Sequence, residues 1–76
     1  MQNEKMDLVL GIEGQSSPNT PLKISASMTA AVRELQARGV PRTQARALMH
    51  RLFKREIVAT EIATKSGNSV AISRVG

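Results

Sequence analysis

The sequence has no cysteine, no tryptophan and no tyrosine, and Phe53 is its only aromatic residue. Without cysteine the chain can form no disulfide, and the lone His50 offers at best a single metal ligand. A chain of 76 residues buries only about 60% of its unfolded surface, so its stability is marginal. We therefore expect one domain core at most, stabilised by self-association as a homodimer.

Long apolar runs and clustered catalytic groups are also missing. Apolar runs such as Leu8-Val9-Leu10 are too short to cross a membrane or to form a signal peptide. The absence of cysteine suits a reducing compartment, so we expect a cytoplasmic protein without a membrane partner. The glutamates are dispersed, and there is no nucleophile–base pair or glycine-rich phosphate loop. These absences predict no enzyme, no cofactor, no metal and no small-molecule ligand.

The net charge of +5 is unevenly distributed along the chain. No acidic residue lies between Glu34 and Glu56. The basic residues of this window are Arg38, Arg42, Arg46, Arg51, Lys54 and Arg55. A surface that serves only solubility usually mixes charges of both signs. A segment whose charges are all positive therefore favours a surface that binds a polyanion over a face that is merely solvated.

Residues 1–21 are expected to form an N-terminal segment and loop. Within them, residues 6–12 make a short apolar run that fits either a strand or a single helical turn. Residues 14–21 have the glycine, serine, asparagine and proline content of a loop. Residues 22–25 alternate apolar and polar side chains, which predicts a very short strand before the helical region.

Two amphipathic helices are predicted in the middle of the chain. The first spans about residues 27–38, and Gly39 then provides a left-handed cap that favours a residue without Cβ. Pro41 suits the first turn of a second helix over residues 41–55. Apolar residues recur at helical spacing in both helices. The two stripes are Met28, Ala31, Val32 and Leu35, then Ala45, Leu48, Met49, Leu52 and Phe53.

Beyond residue 56 the apolar period changes to two. This alternation predicts strands over residues 57–64 and 69–75. Between them, Gly67 and Asn68 can both take positive φ, which is typical of a hairpin loop. The C-terminal third is therefore expected to be a β-hairpin.

Two helices joined by a short glycine-containing turn and followed by a hairpin resemble the winged helix-turn-helix family of DNA-binding domains. The residues that carry the resemblance are Gly39, Val40, Ala45 and Leu48. Small regulators of this family in phages and plasmids have a similar size and layout. The resemblance implies an α+β fold in which residues 22–76 form a helix-turn-helix domain whose C-terminal hairpin is a wing, preceded by a short apolar segment.

The resemblance further implies a transcriptional repressor that binds double-stranded DNA in the cytoplasm of a bacterial or phage-infected cell. The second helix would enter the major groove. Thr43 and Ala47 are small, so the helix can approach the base edges closely. Arg42 and Arg46 can each pair with guanine, and Gln44 with adenine.

Further basic and polar residues are expected to hold the DNA backbone. Phosphate contacts position a protein on the duplex without reading its sequence. On the second helix the candidates are His50, Arg51 and Lys54. The first helix can contribute Arg33 and Arg38, and the hairpin tip Lys65 and Asn68.

Three alternatives stay open. In the ribbon-helix-helix family, residues 22–25 would pair with a second copy, and Lys23 and Ser25 would read bases. The string from Gly39 to Thr43 also resembles the turn of that family. A phage- or plasmid-encoded inhibitor could instead dock the basic helix on an acidic host protein. RNA is the third alternative, although the stacking aromatic residues usual in RNA-binding proteins are missing.

Overall fold

A computed structural model describes residues 5–13 and 22–75, which form four strands and two helices in a small α+β fold. The elements are β1 (Met6–Glu13), β2 (Leu22–Ala26), α1 (Met28–Ala37), α2 (Arg42–Phe53), β3 (Ala59–Ala63) and β4 (Ser69–Arg74). The strands form one antiparallel sheet in the order β2-β1-β4-β3. The loop predicted for residues 14–21 lies outside the described residues.

The prediction of a helix-turn-helix domain with a C-terminal wing is wrong. β1 lies in the middle of the sheet, where Leu8 is opposite Ile24 of β2 and Arg74 of β4. The C-terminal hairpin is thus half of a four-stranded sheet, and the apolar N-terminal segment is a central strand. The physical reason is that a two-stranded hairpin alone is only marginally stable. Pairing with β1 gives β4 a second ladder of hydrogen bonds.

One face of the sheet packs against the two helices. Side chains alternate between the faces of a strand, and those on the helix-facing side of β1 and β4 are almost fully buried. They include Leu8, Leu10, Val70 and Ile72, each at most 1% exposed. The predicted helical stripes are confirmed, because Met28 and Phe53 are partly buried and the other stripe residues are buried. These contacts direct the polar side of α2 outward.

The turn between the helices is tied to the loop between β3 and β4. Gly39, with φ at 96°, ends α1. The N–H of Val40 donates to the carbonyl of Leu35, and the N–H of Gly39 to that of Gln36. These two bonds form the common helix-ending motif that uses glycine. The N–H of Lys65 then donates to the Gly39 carbonyl at 3.0 Å, which joins the hairpin loop to the turn.

We expect the substitution Gly39→Ala to destabilise the fold. A left-handed conformation costs a residue with a Cβ about 1–2 kcal/mol. The new Cβ would also lie 3.3 Å from the Cβ of Thr64, which is a tight contact. Urea denaturation followed by circular dichroism measures the loss of unfolding free energy.

The matched control for this prediction is Gly67→Ala. Gly67 has nearly the same φ, 97°, but among the described residues beyond its two chain neighbours no atom lies within 4 Å of the position that its new Cβ would take. Gly67→Ala should therefore lower the free energy of unfolding only through the strained φ, without a side-chain contact. Gly39→Ala should be the more destabilising of the two. Equal losses would mean that the Thr64 side chain gives way freely.

Candidate nucleic-acid interface

The outward side of α2 is exposed over the whole length of the helix. Its buried stripe, ending at Leu52, faces the sheet and α1, and at 3.6 residues per turn the remaining side chains must face away. The exposed residues include every residue of α2 that was predicted to contact DNA, and also Lys54, which follows the helix. They are Arg42, Thr43, Gln44, Arg46, Ala47, His50, Arg51 and Lys54. No described segment of the chain covers this face, which we call the basic face of α2.

A groove of about 510 Å³ separates the basic face from α1. Arg33 of α1 lines it together with Arg42 and Arg46 of α2. Its floor includes the apolar side chains of Met28 and Val32. No acidic residue is among the described residues that line the groove. The fold therefore brings arginines from both helices around one concave surface.

The start of α2 adds to this positive potential. Pro41 occupies the cap position without a side-chain hydrogen bond to the helix, and the first turn holds Arg42 but no acidic residue. The first N–H groups of a helix lack intrahelical partners and carry the positive end of its dipole. Such an end is a common binding site for phosphate oxygens.

Two of the predicted arginines make contacts within the chain. Nη1 of Arg38 donates to Oε1 of Glu34 at 2.7 Å, and the Arg38 side chain is only 16% exposed. The structure therefore does not place Arg38 on the basic face. Nε of Arg51 lies 3.9 Å from Oε1 of Glu56, but both side chains are more than half exposed. A pair that exposed contributes little, so Arg51 stays available for another anion.

The hairpin loop lies beside the start of α2. Lys65 is exposed, and its N–H bond to Gly39 holds it near the turn that precedes Arg42. Asn68 is half-buried, and its carbonyl accepts hydrogen bonds from the N–H and Oγ1 of Thr64. The loop thus extends the basic face through Lys65, whereas Asn68 serves the loop's own structure through its backbone.

Sequence reasoning missed two polar residues that line the groove, Thr29 and Gln36. With Arg33 they lie at positions i, i+4 and i+7, so they share one side of α1. That spacing was readable in the sequence. It could not be linked to α2, however, because the helix pattern alone does not say which side of α1 borders the second helix.

The strand on which the ribbon-helix-helix alternative depends is paired inside the chain. β2 pairs with β1 along one edge, and its other edge has no partner among the described strands. Nζ of Lys23 lies 3.8 Å from Oδ2 of Asp7. By strand alternation, Lys23 and Ser25 lie on the sheet face opposite the helices. They are therefore separated from the basic face by the sheet.

Neither a metal cluster nor a membrane-spanning helix is found in the part of the chain that the structure describes. It contains no group of three or more histidine, cysteine, aspartate or glutamate residues able to hold a metal ion. None of its helices is long and apolar enough to span a membrane. Comparison with protein-family models, with curated proteins and with solved structures finds no match to the chain.

Proposed function

We propose that the protein binds double-stranded DNA in a sequence-specific way and acts as a repressor by occupying an operator. The observation that carries this proposal is the basic face of α2, which is exposed, free of acidic residues and bordered by the groove that Arg33 lines. A surface with cations on both sides of a concave groove suits the closely spaced phosphates of a duplex.

The residues at the start of α2 are the proposed base-reading group. The major groove of B-form DNA is about 12 Å wide and admits an α-helix. Thr43 and Ala47 are exposed and short, so the axis of α2 can come close to the base edges. Arg42 and Arg46, one turn apart on the same face, can then reach guanine, and Gln44 can reach adenine.

The surrounding cations are the proposed phosphate-binding group. Arg33 lies across the groove from the start of α2, and Lys65 lies beside that start. His50, Arg51 and Lys54 extend the face toward the C-terminal end of the helix. Cations spread in this way can hold the backbone on both sides of the helix and set its register on the duplex.

The proposal includes self-association as a homodimer or cooperatively on DNA. Leu22, Val58 and Val75 are 44%, 61% and 40% exposed, and these apolar side chains would gain from burial against a second copy. β2 and β3 also present edges without a partner among the described strands, which a second chain can pair with. Because its proposed target is an operator, the proposal includes a location in the cytoplasm of a bacterial or phage-infected cell.

Selection of bound duplexes from a random pool tests the proposal directly. We expect a recurring sequence to emerge, and the selected duplex to bind far more tightly than a scrambled duplex at physiological salt. Single strands and RNA of the same sequence are the competitors. Sedimentation of the protein with and without the selected duplex gives the number of copies bound. Equal binding of selected and scrambled duplexes would reject sequence-specific recognition.

A further inference from the structure

A second basic cluster lies at the C-terminal end of α2. An open cavity of about 510 Å³ is bordered there by Lys5 before β1, Arg55 after α2 and Arg74 at the end of β4. Along α2 the groove extends from Arg42 to His50, and the cavity begins at Phe53. Among the described residues, the cavity and the groove share no lining residue.

Arg74 lies where the sheet pattern calls for an apolar side chain. It follows Val70 and Ile72 on the helix-facing side of β4 and is opposite Leu8 of β1. Its Nε is buried and has no hydrogen-bond partner among the described residues. Arg74 as a whole is only half-buried, but an unsatisfied buried donor in a folded protein needs an explanation.

Arg55, at the same cavity, has a strained backbone conformation. Its φ is 63°, and it is the only non-glycine residue with positive φ in the described ranges. It occupies the helix-ending position that glycine usually fills, since its N–H donates to Leu52 and the next N–H, of Glu56, donates to Arg51. Gly39 meets the same need at the end of α1 without strain. Strained residues of this kind concentrate at functional sites.

The charge around the cavity is strongly positive. The acidic residue among its described lining is Asp7, but the Asp7 carboxylate contacts Lys23, which lies on the sheet face away from the helices. Lys5, Arg55 and Arg74 nevertheless outnumber this single carboxylate, so the lining keeps an excess of positive charge. A dianion compensates such a cluster better than a singly charged carboxylate does. The planar forks of two arginines also match the geometry of a phosphate group.

The cavity also has an apolar wall, formed by Met6, Phe53 and Val75. A volume of about 510 Å³ falls in the range of small-molecule sites and exceeds what a lone phosphate ion fills. The Phe53 ring is half-buried, and aromatic rings pack well on other ring systems. The wall therefore suits an organic group attached to the anion.

We propose that this cavity binds a phosphate monoester that carries a ring system, such as a nucleoside monophosphate. Arg74 and Arg55 bind the phosphate oxygens, Lys5 adds charge, and the ring packs on Phe53. The phosphate gives the half-buried Arg74 a counter-charge and makes use of the strained position of Arg55. This inference does not depend on whether the basic face of α2 binds DNA.

Titration of the full chain with adenosine monophosphate, followed by amide NMR signals at constant ionic strength, tests the proposal. We expect saturable shifts at Phe53, Arg55 and Arg74, and none with adenosine, which lacks the phosphate. Arg74→Gln should weaken the binding about tenfold or more, because a charge-assisted bond is lost. The matched control, Lys65→Gln, removes one positive charge at the other end of α2 and should bind like the unaltered protein.

The variant Arg55→Gly separates a binding role from a structural one. Glycine adopts the φ of this position freely, so the melting temperature should rise by about 4–8 °C. Affinity for adenosine monophosphate should nevertheless fall several-fold. A more stable variant with unchanged affinity would overturn the role of Arg55.

Other outcomes of the titration would overturn the site itself. Equal weakening by Lys65→Gln and Arg74→Gln would reduce the effect to non-specific attraction. Shifts at Arg74 with duplex DNA but not with adenosine monophosphate would assign the cavity to backbone phosphates and overturn the small-molecule ligand. Circular dichroism of each variant identifies any that does not fold.

Discussion

Replacement of Arg46 by alanine is expected to weaken binding of the selected duplex by about 1–3 kcal/mol while scrambled DNA loses much less. Arg46 is exposed, lines the groove between the helices and borders the short residues Thr43 and Ala47 on the basic face. It is therefore the arginine best placed to reach a guanine edge with two hydrogen bonds. Fluorescence anisotropy with both duplexes at several salt concentrations measures the effect.

Two controls remove the same charge elsewhere. Lys54→Ala, near the end of α2, should weaken selected and scrambled duplexes alike and reduce the slope of log affinity against log salt by about 1. Lys23→Ala, on the far side of the sheet, should change neither affinity nor specificity. Loss of specificity in Lys23→Ala but not in Arg46→Ala would instead favour recognition through β2, as in the ribbon-helix-helix alternative.

The helices were predictable because their signals are local. Ser27 accepts a hydrogen bond from the N–H of Ala30 and begins α1, and Gly39 ends it. The apolar stripes recur at the helical period, and burial follows them. Once the buried stripe of α2 is known, geometry alone places the basic side chains outward. The exposure of the basic face can therefore be predicted from the apolar stripe of α2 alone.

The arrangement of the strands was not predictable in the same way. Residues 6–12 fit a strand or a helical turn, and nothing in them indicates a partner more than 50 residues away in the chain. The pairing of Leu10 with Ile72 depends on both strands presenting apolar residues to the same helices. That requirement appears only when the helices are in place. A hairpin that looks complete by itself is therefore easily mistaken for a wing.

The cationic cavity was not predictable for a different reason. The helical pattern runs on to residue 55, but α2 ends at Phe53, and Arg55 takes a conformation that local preference disfavours. Arg74 likewise breaks the apolar alternation of β4. Local rules misread such positions because their residues conflict with the surrounding structure. Conflicts of this kind are expected where function outweighs stability.

The largest loss of stability is expected from Leu52→Ala. Leu52 is fully buried in the core between α2 and the sheet. Truncating a buried leucine lowers the free energy of unfolding by about 2–5 kcal/mol. This is a large fraction of the whole free energy of unfolding of a domain of this size. Urea denaturation followed by circular dichroism should show a midpoint shifted strongly to lower urea, with the protein near the edge of unfolding at 37 °C.

The control for Leu52→Ala is the same chemical change at an exposed site. Leu22→Ala, at a leucine that is 44% exposed, should cost well under half as much, because less apolar surface returns to water. DNA binding gives a second readout, since Leu52 touches the core and not the basic face. Where Leu52→Ala is still folded at low temperature, it should keep its preference for the selected duplex. Loss of that preference in a folded variant would show that the position of α2 depends on its core contacts more finely than its exposed residues suggest.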